Sequence, residues 1–74
     1  MVIEVHLYNT LKRHVPSSSS GAVTVDVEDD ISIAELLNEM EIEAAEIQLI
    51  MVNGKKSKLE YRLYDGDRVS LFSN

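Results

Sequence analysis

The chain has 74 residues, a net charge of −6 and no cysteine. That length admits one domain spanning residues 1–74, with little room for a deep pocket, because a domain of this size buries only about 60% of the surface its unfolded chain exposes. The lack of cysteine excludes a disulfide framework, a thiolate nucleophile and a cysteine-based zinc or iron–sulfur site; no apolar run approaches the roughly 20 residues of a membrane span, and no basic-then-apolar leader opens the chain, so the expected location is cytoplasmic.

Ile3, Val5 and Leu7 alternate with Glu4, His6 and Tyr8. A period of two predicts a first strand with one buried face. Thr10 to Val15 is amphiphilic but short, enough for one helical turn; Pro16 stops it, and Ser17 to Gly21 reads as a loop. Ala22 to Val27 alternates again, with Val23, Val25 and Val27 inward and Thr24 and Asp26 outward. Two such strands joined by a Ser/Gly loop predict an antiparallel pair.

A helix follows. Ser32 and Glu35 have capping-box spacing, Ile31 and Leu36 can close a hydrophobic staple, and Ile33, Leu36, Leu37 and Met40 form one apolar stripe. Ala44 and Ile47 extend the same period and no Gly or Pro marks a stop; the favoured end is near Met40, with a looser turn over Glu43 to Glu46. Ile47 to Val52 reads as a continuous apolar run, a strand near the sheet centre or one with an apolar patch on its outer face. Asn53-Gly54 supplies a tight hairpin turn, Lys56 to Lys58 a short return strand, Asp65-Gly66 a second turn, and Arg68 to Phe72 a last strand with Val69 and Leu71 inward. The order predicts an α+β fold: a mixed sheet of four to five strands with one helix across one face, the first and last strands central and parallel in a β-grasp arrangement.

Charge is unevenly placed. Nine acids and no Lys or Arg lie between Ala22 and Gly54, whereas five of the seven basic residues fall in the last third. An acidic chain is repelled by phosphate backbones. The bland reading of the acids is solubility; the sharper one is faster encounter with a basic partner. His6 and His14 have no ligand partners at metal-binding spacing, and Asp26 to Asp30 lacks the glycine and terminal glutamate of a calcium loop. No nucleophile stands with a base, and no glycine-rich phosphate loop is present. No cofactor and no enzymatic activity are expected.

Several segments resemble the ubiquitin-like sulfur carriers, the MoaD/ThiS family of molybdopterin and thiamine biosynthesis. They are Val5 to Arg13, the helix start Ile31-Ser32-Ile33-Ala34-Glu35-Leu36-Leu37, Val52-Asn53-Gly54-Lys55, and Leu63-Tyr64-Asp65-Gly66-Asp67-Arg68-Val69-Ser70-Leu71-Phe72. The resemblance implies a ubiquitin-like β-grasp fold, and a role in which a terminal Gly-Gly carboxylate is adenylated by an E1-like enzyme and converted to a thiocarboxylate. The sequence ends instead at Ser73-Asn74. Extended residues add at most about 3.5 Å each, so Asn74 matches the carrier terminus in neither type nor reach. The resulting expectation is a non-catalytic protein-interaction module, its partner an E1-like activating enzyme or a protein like the large subunit of molybdopterin synthase, with no nucleic acid and no membrane. Two alternatives stand beside it. One is a genuine carrier whose tail is missing from this chain. The other is a TGS-like, RNA-associated β-grasp module, which the Val52-Asn53-Gly54-Lys55 and Leu59 to Val69 segments also resemble.

Ubiquitin-like folds commonly bind through the sheet face opposite the helix. Phe72, the only phenylalanine, alternates outward, and if Gln48 faces solvent then Ile50 and Val52 share its face. With His6 and Tyr8 these residues form the expected partner-binding patch. A register off by one residue would invert every side chain.

Overall fold

The computed structural model describes residues 1–9, 11 and 21–73. The helical turn expected over 10–15 and the loop over 17–20 lie outside the described residues, apart from Leu11, which is buried. Elements follow in the order β1 (Val2–Tyr8), β2 (Ala22–Asp26), α1 (Ile33–Glu39), a short 3-10 helix (Ala44–Glu46), β3 (Ile47–Val52), β4 (Lys55–Lys56) and β5 (Arg68–Ser73). The strands form a five-stranded sheet in the spatial order β2-β1-β5-β3-β4. β1 and β5 are parallel at its centre; the other pairs are antiparallel. This is the ubiquitin-like β-grasp arrangement, and the chain order of the expected elements is met.

One face of the sheet is the core. Ile3, Val5, Leu7, Val69, Leu71, Ile50 and Val52 pack there with Ile33, Leu36 and Leu37 of α1 and with Ile31, Ile42 and Leu63 from the connections. Val23 and Val25 reach the same cluster from β2, half-buried. Burial of a Val, Leu or Ile side chain contributes about 1.5–3 kcal/mol, so this cluster is the main source of stability.

The helix is closed at both ends by its own sequence. Ser32 Oγ accepts from Glu35 N at 3.2 Å, and Glu35 Oε1 accepts from Ser32 N at 3.2 Å, completing the capping box. The first two helical N–H groups donate to the Tyr61 and Leu59 carbonyls, both at 3.0 Å. At the other end Glu41 N donates to Asn38 O at 3.2 Å and Ile42 N to Leu37 O at 2.9 Å. This is a Schellman arrangement, with Glu41 at φ 59° where glycine is usual.

Two acidic side chains tie the turns to the sheet. Asp67, buried, accepts from Asn53 Nδ2 at 3.0 Å and from Tyr64 N at 2.9 Å. Asp65 Oδ1 accepts from Val2 N at 2.7 Å, and Gly66 N donates to Val2 O at 2.8 Å. Asn53 (φ 53°) and Gly54 (φ 84°) both hold the left-handed backbone that a two-residue hairpin turn requires.

Candidate functional site

Among the described residues, no element covers the face opposite α1. All five strands project side chains onto it, and the strand register fixes their places. Tyr8 stands beside Phe72, His6 beside Ser70 and Glu4 beside Arg68. On the far side of β5, Leu49 stands beside Phe72 and Met51 beside Ser70. Lys56 lies next to Met51, and Thr24 and Asp26 lie next to Glu4 and Val2. The face is therefore graded. One end is apolar (Tyr8, Phe72, Leu49, Met51), and the other carries Glu4, Asp26 and Arg68.

Tyr8 and Phe72 are stacked, with ring centroids 4.5 Å apart and planes 6° from parallel. Such a pair contributes about 0.5–1.5 kcal/mol beyond its area burial and holds two aromatic rings as one flat platform on the central strands. Both residues are half-buried. His6 Nε2 and Glu4 Oε1 lie 2.6 Å apart, so the imidazole is fixed along the sheet surface. The platform's lower edge is thereby polar.

The structure brings His6, Tyr8 and Phe72 together on this face, as the alternation of β1 and β5 dictates. It does not bring Ile50 and Val52 there. They are 7% and 6% exposed, opposite Leu71 and Val69 on the core side. The register of β3 against β5 shifts between Ile47 and Leu49. Alternation counted from Gln48 therefore assigns the wrong side, and Leu49 and Met51 take the places expected for Ile50 and Val52. A bulge leaves no composition signal here: Gln48 is the one polar residue of the run, and the apolar residues after it fit a buried face in either parity.

Among the described residues, no group of three or more His, Cys, Asp or Glu side chains is placed to hold a metal ion, and no helix is long and apolar enough to cross a membrane. The shallow cleft beside α1, about 540 Å³, is lined by Glu28, Asp29, Asp30, Glu35 and Glu39 with Arg62. Arg62 Nη1 donates to Asp30 O at 2.9 Å, which engages that cation within the wall.

Comparison with known proteins agrees with the architecture. The family described as Mut7-C ubiquitin matches residues 1–73. A search of curated proteins found no match. Among solved structures, SAMP1 from Haloferax volcanii is 19% identical, with 100% of this chain and 96% of that chain covered and a TM-score of 0.71. A Pyrococcus furiosus protein assigned as molybdopterin converting factor subunit 1 is 17% identical, with coverage of 99% and 97% and a TM-score of 0.78. A chain in the complex of subunits 1 and 2 of molybdopterin-converting factor from Helicobacter pylori is 21% identical, with coverage of 100% and 95% and a TM-score of 0.62. At these identities the likeness is one of fold, and it is the ubiquitin-like fold implied by the sequence resemblance.

Proposed function

Because the chain belongs to the Mut7-C ubiquitin family, we propose that it is a non-catalytic ubiquitin-like module that docks a protein partner on the open face of its sheet. The stacked Tyr8–Phe72 pair supports this reading most strongly. A rigid aromatic platform with Leu49 and Met51 beside it loses little side-chain entropy on binding, and aromatic residues and Met are enriched in interface cores. Lys56, beside Met51 at the apolar end, favours an acidic side chain on the partner there, while Glu4 and Arg68 at the other end offer both signs of charge. The ubiquitin-like chain in the Helicobacter pylori complex is likewise held beside a protein subunit, which supports a protein as the occupant.

The test is binding of the wild-type chain and of Phe72→Ala and Met51→Asp to proteins encoded beside its gene, followed by calorimetry. Each variant is expected to weaken binding at least about tenfold, as loss of a central interface residue does, with an unchanged far-UV circular dichroism spectrum. Unchanged affinity in both variants would remove the outer face as the docking site.

A sulfur-carrier role is the second reading, supported by the fold shared with molybdopterin converting factor subunit 1. Incubation with an E1-like enzyme, ATP and a sulfur donor, read by intact mass spectrometry, distinguishes the two. Oxygen-to-sulfur exchange at a terminal carboxylate would establish the carrier and overturn the non-catalytic module.

A further inference from the structure

The outer face has a property besides its apolar end. Its central charges are self-complementary. In the parallel register of β1 and β5, exposed Glu4 stands beside exposed Arg68 and Tyr8 beside Phe72. Consider a two-fold axis lying in this face, between β1 and β5 and along them. It sets each column of one copy on the other column of the second copy. Glu4 then meets Arg68 twice over, His6 meets Ser70, and the Tyr8–Phe72 platforms stack ring on ring. One column further out, Thr24 meets Asn53 and Ala22 meets Met51, by the β1–β2 and β3–β5 registers and the Asn53–Arg68 hydrogen bond. Among these pairs no like charges are brought together.

We infer that a second copy of this chain docks on the outer face through this isologous arrangement. The dimer is weak. The molecule measures 27 × 22 × 22 Å, so one sheet face offers roughly 400–500 Å² per copy, at or below the low end of specific interfaces. The net charge of −6 on each copy adds repulsion. Such a contact forms and parts with concentration. Its regulatory meaning rests on the reading of this face as the docking site: Tyr8 and Phe72 are covered in the dimer and open in the monomer, so self-association competes with the partner.

Sedimentation equilibrium on the full chain over a concentration series tests the inference. Wild type is expected to show a concentration-dependent dimer. Glu4→Arg and Arg68→Glu each place two like-charge contacts in the interface and are expected to weaken it at least about tenfold. An equimolar mixture of the two variants restores opposite charges at both contacts and is expected to dimerise when neither does alone. Both side chains are exposed, and circular dichroism checks that the fold is kept. A wild type that stays monomeric throughout, reversals that leave the dimer intact, or a mixture that stays monomeric would each overturn the proposal. Partner affinity measured on dilute, monomeric chain is independent of these outcomes, so failure of the dimer and failure of the docking reading are separable.

Discussion

Asp67 directs both carboxylate oxygens into the molecule, one to Asn53 Nδ2 and one to Tyr64 N. Through them the two turns of the C-terminal half are held in one frame. Asn53 completes it, since its Oδ1 accepts from Arg68 N at 3.0 Å. The Asn53-Gly54 and Asp65-Gly66-Asp67 strings, which carry much of the family resemblance, therefore serve the fold. That is why the same string suits several β-grasp groups and says little about activity. Asp67→Ala leaves two part-buried donors unpaired and is expected to cost about 1–2 kcal/mol in urea unfolding. Glu41 is the opposite case. It occupies a left-handed conformation at φ 59° behind the helix, where a Cβ is unfavourable by roughly 1–2 kcal/mol. Glu41→Gly is expected to raise the urea midpoint, by less than that amount because glycine also gains freedom in the unfolded chain.

At the scale of elements, α1 shows how far local sequence reaches. Its start was legible because the Ser32–Glu35 box is a spacing with a mechanism. Its stop was ambiguous because Glu41 takes the position that glycine would have marked. Only the buried Leu37 and Ile42 beneath it fix the ending. The cap also gives the helix a pH dependence. Hydrogen bonds from the Ser32 backbone N–H and then from its hydroxyl hold the Glu35 carboxyl below its ordinary value, with help from Arg62 and against desolvation. A carboxylate depressed in the folded state adds stability that is fully present above its unfolded pKa. That stability is lost as pH falls through the folded value. Ser32→Ala is expected to lower stability by about 1 kcal/mol at neutral pH and to reduce the acid sensitivity seen in urea midpoints between about pH 6 and pH 2. An identical pH profile in the variant would refute this role for the cap. In β3 the limit of sequence was different. The strand was legible as an apolar run, but its sidedness depended on a register shift set by pairing with β5.

Taken as a whole molecule, the sheet order followed from constraints that sequence does carry: two alternating strands around a loop, a capped helix as crossover, and a hairpin turn before the last strand. What it left open was which apolar residues remain outside once the core is filled. Ile50 and Val52 serve the core, while Leu49, Met51, Tyr8 and Phe72 form the remaining apolar end of the open face. The two sets should separate by experiment. Ile50→Ala is expected to destabilise by about 2–4 kcal/mol, as deletion of a buried aliphatic side chain does. Met51→Ala is expected to change stability by less than about 1 kcal/mol while weakening the docked complex.

The acids that face away from this sheet surface, on α1 and the turns beside it, have no place in such a docked complex. Chemical-shift mapping can therefore decide between the two sides of the molecule. Backbone amide shifts would be followed on the isotopically labelled chain at monomeric concentration, while the neighbouring gene's protein that binds it is added. The account predicts that the largest changes centre on Tyr8, Phe72, Leu49 and Met51, with α1 little affected. Changes centred on Glu35, Asn38 and Glu39, with β1 and β5 unmoved, would contradict it.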